Sequence, residues 1–385
     1  MYAAIALFAL ISPGFQVERV VLDADFPGAY QVEVADVNGD GKLDVVVVGG
    51  STCAWYENPT WKKRIVTGKD RTPDIISSAT ADFDGDGKAD IAIGFDFAMN
   101  EPNRGKLLMA SPGEAPDDAW TTRAFGNVPS IHRLRAGDLN GDGKRDELIV
   151  AAIFGPESKP PLFTQDQAGV FVLIDRVHTL DAVWRQEKAG KQPVLHAIRV
   201  VDLDGDGLDD ILAAGNEGVV WMKRAKDGAW SRRVLTPGAE GEAPKRGCSE
   251  IHVGKLADGR KFLATIDPWH GSQVAIVTES KPGSLEFGDR RVIDDTLDDG
   301  HALYVADIDG DGTDEVFAGH RGKGHRVSAY HLENGGWKRF VIDEAIAAQD
   351  LRGGDLDGDG RPEIVAVGGS TKNVVLYRFA KFRPE

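Results

Sequence analysis

One nine-residue stretch, DLDGDGLDD at residues 202–210, constrains the chain more than any other feature. Carboxylates stand at its positions one, three, five and nine, and glycines at four and six. Alternate carboxylates on a tight turn point inward, and the glycines supply the positive φ that the turn demands. Oxygens packed this densely repel one another unless a hard cation sits among them. Calcium, with roughly six to eight oxygen ligands, fits better than magnesium, which keeps its waters. The spacing starts like an EF-hand loop but closes at position nine rather than twelve, and valine-rich runs flank it where helices would be expected.

The stretch occurs six times. The expected calcium ligands are Asp36, Asn38, Asp40 and Asp44 in the first copy, and Asp82, Asp84, Asp86 and Asp90 in the second. The third offers Asp138, Asn140, Asp142 and Asp146, and the fourth Asp202, Asp204, Asp206 and Asp210. The fifth offers Asp307, Asp309, Asp311 and Glu315, and the sixth Asp355, Asp357, Asp359 and Glu363. A single copy reads equally well as an Asp-Gly hairpin turn that needs no metal. Six copies that keep all four ligand positions favour structural Ca²⁺, up to six ions.

Successive copies start 46, 56, 64, 105 and 48 residues apart. The gap of 105 is twice the others and hides a degenerate copy at residues 251–266, where Asp258 keeps only the first ligand position. Seven repeats of about 50 residues match a four-stranded propeller blade. The runs beside each loop are short, apolar and β-branched, as in AIRVV (197–201), DILAAG (210–215), GVVWMKR (218–224) and WSRRVLT (230–236). They read as strands. The last phrase recurs as WKKRIVT, FGDRRVID and WKRFVID, and its aromatic is expected to pack between blades. The seventh repeat lacks this phrase, whereas FQVERVVLD (15–23) supplies it at the other end of the chain. The expectation is one all-β domain over 15–385, a seven-bladed β-propeller with calcium-binding loops in six blades and the ring closed by the N-terminal strand.

The formal net charge is −16, most of which six calcium ions would offset. Such acidity argues against a nucleic-acid partner. The apolar run Tyr2–Ile11 is too short to span a bilayer. It suits the core of a secretory signal over residues 1–14, with a plain N-terminal strand as the alternative. Secreted or periplasmic location follows from that reading, and also suits calcium loops. The two cysteines, Cys53 and Cys248, belong to blades that are not neighbours and read as separate buried thiols.

These features resemble the FG-GAP or VCBS class of calcium-loop propellers, which includes the head of integrin α subunits. The class implies fold and calcium and leaves function open, because it holds adhesion modules, lectins and enzymes.

Function has to come from other residues. Six positions before the first loop ligand stand His132, His196, His252 and His301 in blades three to six, with Gln349, Tyr30 and Ile76 in blades seven, one and two. This position begins the innermost strand, beside the central channel. Its histidines either cap the strand or form a site for zinc, manganese or iron. The expected transition-metal ligands are His196, His252, His301 and Gln349, with Zn²⁺ or Mn²⁺ as the ion. Loops after each second strand should open on the same face. They bring Trp269 and His270 in DPWHGSQV, His320, Arg321, Lys323 and His325 in GHRGKGHRV, Asn216 and Glu217 in GNEG, and Lys245 and Arg246 from an insertion. A solvated polar rim is the plain alternative for such loops.

The combination of GHALYVADIDGDG, DPWHG and GHRG looks like the propeller of aldos-2-ulose dehydratases. That resemblance implies elimination of water from keto-sugars; metal-dependent seven-bladed polysaccharide lyases are a looser parallel. With the substrate class that resemblance implies, the expected reaction is metal-assisted β-elimination on a keto-sugar, keto-glycoside or uronate, and the histidines and cations suit its chemistry. His270 and His320 are the expected acid–base pair, with His132 and Tyr30 as further candidates. Arg321 is expected to stabilise the leaving oxygen and Trp269 to stack on a sugar face. The alternative is a non-catalytic extracellular propeller that binds glycans or proteins.

Overall fold

The computed structural model describes residues 8–12, 15–174 and 185–381. Among them every helix or strand element is a β-strand. No described helix is long and apolar enough to cross a membrane. The strands form a seven-bladed β-propeller in which each blade is an antiparallel sheet taken in chain order. Blade four shows the pattern: Leu195–Val201 innermost, then Asp210–Gly215, Gly218–Arg224 and Trp230–Thr236. The degenerate repeat is a full blade, with strands Glu250–Lys255, Lys261–Asp267, Gln273–Thr278 and Arg291–Asp294. Each innermost strand packs beside that of the next blade, and Ala348–Gly354 of blade seven returns to Ala29–Ala35 of blade one.

Blade seven uses both ends of the chain. Phe15–Asp23 lies antiparallel to Val374–Lys381, in register from Phe15 opposite Lys381 to Asp23 opposite Val374. The signal expected over residues 1–14 lies mostly outside the described residues. Its described part, Phe8–Ser12, is a strand paired with the start of Phe15–Asp23.

The second strands of six blades are buried along their whole length, which explains why they read as unbroken apolar runs. The core is divided into clusters, most of which straddle two neighbouring blades. One joins Phe317 and Ala329 of blade six to Leu351, Ala366 and Tyr377 of blade seven. Another joins Val45 and Val47 of blade one to Val365 and Leu376 of blade seven. Burying each such Val or Leu is worth about 1.5–3 kcal/mol, so blade-to-blade contact stabilises the ring. The outer aromatics lie at these seams, with Trp337 edge-on to Phe262 at 5.5 Å. Cys53 and Cys248 are buried and unbridged.

The repeated acidic loops share one conformation. In each, the first Asp accepts N–H from both glycines, as with Gly205 (2.7 Å) and Gly207 (3.0 Å) on Asp202. Those glycines have φ of 78° and 89°. The ninth-position carboxylate opens the next strand and accepts the N–H of residue two, as Leu203 donates to Asp210 at 3.1 Å. Blade three departs from the expected spacing. There Leu139 donates to Glu147 at 2.8 Å, and Glu147, not Asp146, opens the strand. The loop holds one more residue than its siblings, so the position assigned to Asp146 by counting belongs to Glu147. The loops also interlock neighbouring blades, since Asp209 N–H donates to the carbonyl of Asp138 at 2.7 Å.

Candidate functional site

At the channel mouth opposite the acidic loops, the innermost strands begin with a β-bulge. The register slips by one residue at Tyr30, His132, His196, His301 and Gln349, in blades one, three, four, six and seven. A bulged residue is left out of the ladder and re-aimed. Blade five pairs without a slip, His252 opposite Ala264. This difference decides the site.

The three bulged histidines are oriented alike. The Nδ1 of His132 donates to the carbonyl of His196 at 3.0 Å, that of His196 to the carbonyl of Ser249 at 3.0 Å, and that of His301 to the carbonyl of Gln349 at 2.6 Å. Donation from Nδ1 leaves the Nε2 lone pair of His196 and His301 available, while that of His132 accepts from Arg133 Nη1 at 3.2 Å. Those Nε2 atoms meet at one place. Tyr30 Oη lies 3.3 Å from His132 Nε2 and 3.2 Å from His301 Nε2. His270 joins from the blade-five loop, its Nε2 3.0 Å from His196 Nε2. Donor atoms of His196, His270 and His301 all lie within 4.8 Å of one another, close enough to share an ion. Burial holds His132, His196 and His301 well below the ordinary histidine pKa, with Arg133 among the further causes. They are therefore neutral at pH 7, the state in which imidazole ligates metal.

A charged bracket holds His270. Its Nδ1 is 3.1 Å from Asp299 Oδ1 and 3.0 Å from Arg321 Nη2. Arg321 also pairs with Asp299 through Nε at 2.8 Å and donates to Gln349 Oε1 at 2.8 Å. Partial burial works against the Asp299 anion, but His270 and Arg321 hold its carboxyl well below the usual range. His270 itself is lowered by burial, with Asp299 opposing.

The structure gives several expected residues other places. His252 is not in the cluster: without a bulge its ring turns down the channel onto Tyr304, at 5.1 Å, and His270 stands where it was expected. The side chain of Gln349 holds Arg321 instead of joining the imidazoles. His320 is buried against Asp298, with Nδ1 3.1 Å from the Asp298 carbonyl and no contact to the cluster among the described residues. Trp269 is not an open stacking face. It is 9% exposed and packs edge-on to Phe154 and Phe163, at 6.0 and 6.4 Å, in an aromatic wall beside His270. Lys245 donates to the Trp269 carbonyl at 2.9 Å and Glu217 pairs with Arg232. Sequence reasoning missed Asp299, Ser249, Phe154 and Phe163. Asp299 precedes GHALY directly, and an acid beside an expected ligand was the available signal; the others carried none.

Known proteins match in two parts of the chain. The FG-GAP-like repeat matches residues 36–93 and 307–366, and the FG-GAP repeat residues 76–114. The family described as aldos-2-ulose dehydratase, beta-propeller domain, matches residues 106–280, which include His132, His196 and His270 but not blade six. The aldos-2-ulose dehydratase of Phanerodontia chrysosporium is 28% identical over 229 residues, covering 54% of this chain and 24% of that protein. The chain thus spans about a quarter of that relative's length. Among solved structures, an Agrocybe aegerita lectin specific for non-reducing terminal N-acetylglucosamine aligns with a TM-score of 0.54 and 15% identity over 92% of this chain and 86% of that one. The extracellular domain of a one-component system from B. thetaiotaomicron aligns with a TM-score of 0.50 and 11% identity, over 92% of this chain and 39% of that one. At such identities these two show fold alone. The chain resembles FG-GAP repeats along its acidic loops and the propeller domain of aldos-2-ulose dehydratase across the blades that carry most of the histidines.

Proposed function

We propose that the mouth is a metal-assisted lyase site that eliminates water or an alcohol from a keto-sugar, keto-glycoside or uronate. The observation that carries this reading is the convergence of His196, His270 and His301, with two of the three Nδ1 atoms tied to backbone carbonyls. Three neutral nitrogens and a nearby phenol suit Zn²⁺ or Mn²⁺ and not calcium. Such an ion would supply Lewis-acid polarisation of a carbonyl or carboxylate.

The chain's own groups supply the rest. Tyr30 Oη, between His132 and His301, can exchange a proton with His132 Nε2. This pair takes the acid–base role that His320 cannot reach from beside Asp298. Arg321 offers a fixed cation for the leaving oxygen, because Asp299 and Gln349 hold its guanidinium in place. The aromatic wall of Trp269, Phe154 and Phe163 shields one side of the cluster from water. The acidic loops are read as calcium sites that hold the blades, as expected of a protein working outside the cytoplasm.

The test is transition-metal content together with an ultraviolet screen for unsaturated products on keto-sugars and uronates. The expected result is one transition metal per chain and a product that disappears in His132→Ala. A mouth that binds sugar but takes no metal and yields no product would assign a glycan-binding module instead.

A further inference from the structure

Three residues inward from the bulged positions, the innermost strands place Glu33, Arg135, Arg199, Tyr304 and Arg352 at one level. Two of the three arginines there are matched. Arg135 Nη1 lies 3.3 Å from Glu33 Oε1, and Arg352 Nη1 lies 2.9 Å from Asp350 Oδ1. Arg199 is not matched: among the described residues it has neither a hydrogen bond nor an ion pair. The charges that act on it are Tyr304, Arg135, Arg145 and Glu33, from blades six, three and one. Only the central channel brings a blade-four side chain near all of these. Burial draws its guanidinium down to about 10.

His252 faces the same stretch. It is 4% exposed, its Nδ1 donates to the Val253 carbonyl at 3.0 Å, and its Nε2 is buried with no hydrogen-bond partner. The charges acting on it are Arg199 and Arg135. An unmatched guanidinium and an unpartnered imidazole nitrogen thus share one part of the channel. A cavity of about 430 Å³ reaches the level of Glu33 and Arg135 from the acidic-loop face, lined also by Lys144, Arg145 and Asp82, with Arg199 and His252 beside it rather than in its lining. Arg145 is already paired with Asp209 at 2.6 Å, so it lines the entrance more than it supplies a free charge.

We propose that this end of the channel is a binding site for a small oxyanion, held by the Arg199 fork and capped by His252 Nε2. A planar guanidinium matches two oxygens of a phosphate or carboxylate at once. The free lone pair on His252 Nε2 wants a donor, which favours hydrogen phosphate over sulfate. A free ion is the ligand, because the net charge of −16 repels larger polyanions. The site is separate from the histidine mouth and does not rest on the lyase reading.

The experiment is calorimetric titration of calcium-loaded protein, freed of excess calcium, with inorganic phosphate, sulfate and glucose phosphate. Melting temperature with and without phosphate is read alongside. The wild-type chain is expected to bind one phosphate, with sulfate and the sugar phosphate weaker. Arg199→Gln should weaken phosphate at least tenfold and His252→Leu several-fold. Without phosphate, Arg199→Gln should melt no lower than wild type, because it removes a half-buried cation that has no partner. Three outcomes would overturn the site: no saturable binding by any of these ions, equal phosphate affinity in Arg199→Gln, or a marked loss of stability in that variant without phosphate. Tighter binding of the sugar phosphate would reassign the ligand and overturn the free-ion claim.

Discussion

The innermost strands run from a mouth where the blades differ to a face where they repeat. At the acidic face six loops share one hydrogen-bond pattern, with the first Asp accepting from a glycine at position four in every copy. At the mouth, the same strands begin with Tyr, Ile, His or Gln, blade five lacks the bulge, and the connecting loops have different lengths and residues. A copied feature serves every blade equally and therefore serves the ring. A feature that varies by blade can converge on one point, which chemistry requires. Stability and function are thus separable, and changes at either end test the separation.

The largest expected effect is on the ring itself. Deleting residues 15–23 exposes Val374–Lys381 as an edge, and the protein should be recovered unfolded or aggregated. A soluble, cooperatively melting deletion would show that blade seven closes without this strand. Calcium removal comes next. Each site held at 100 times its Kd contributes about 2.7 kcal/mol by mass action, so complete chelation should lower the melting temperature by about 10 °C or more. An unchanged melting curve at verified zero calcium would mean that the loops are plain turns.

Changes at the mouth should spare the fold and remove function. His196→Ala and His301→Ala are expected to lose the transition metal and on the order of 100-fold or more in turnover, with a small shift in melting temperature. His252→Ala should keep the metal, because its ring points away from the cluster. Metal loss in that variant would return His252 to the ligand set. Within the repeated face, Glu147→Gln should cost about 1–3 kcal/mol and one calcium ion, while Asp146→Asn should keep all the calcium. Equal stoichiometry in the two variants would give the ninth-position role in blade three no preference for Glu147 over Asp146.

The smallest expected effect is one of pH. Burial first, and then Arg199, hold His252 well below its ordinary value of 6.5. The unfolded chain takes up a proton near that value where the folded one does not. Stability is therefore full above it and lost as pH falls below it. In phosphate-free buffer, His252→Gln should flatten the fall of the urea midpoint between about pH 7 and pH 5. An unaltered slope would mean that other buried imidazoles carry the acid sensitivity.

Much of this was legible in the chain. The repeat of Asp and Gly at fixed offsets specifies a turn locally, since positive φ and side chain-to-backbone bonds need no distant partner. The spacing of those turns then fixes the blades, even the degenerate one at Asp258. The histidine position was legible as well, because it lies at a constant offset from each loop. What the sequence did not determine was where those side chains point. His252 stands at the same offset as His196 and His301, but direction depends on whether the strand bulges against its neighbour, and that is a matter of pairing between segments. The place of His270 in the cluster, the seating of Arg321 by Asp299, and the burial of Trp269 were likewise decided by the closed ring, which brings loops from separate blades to one mouth.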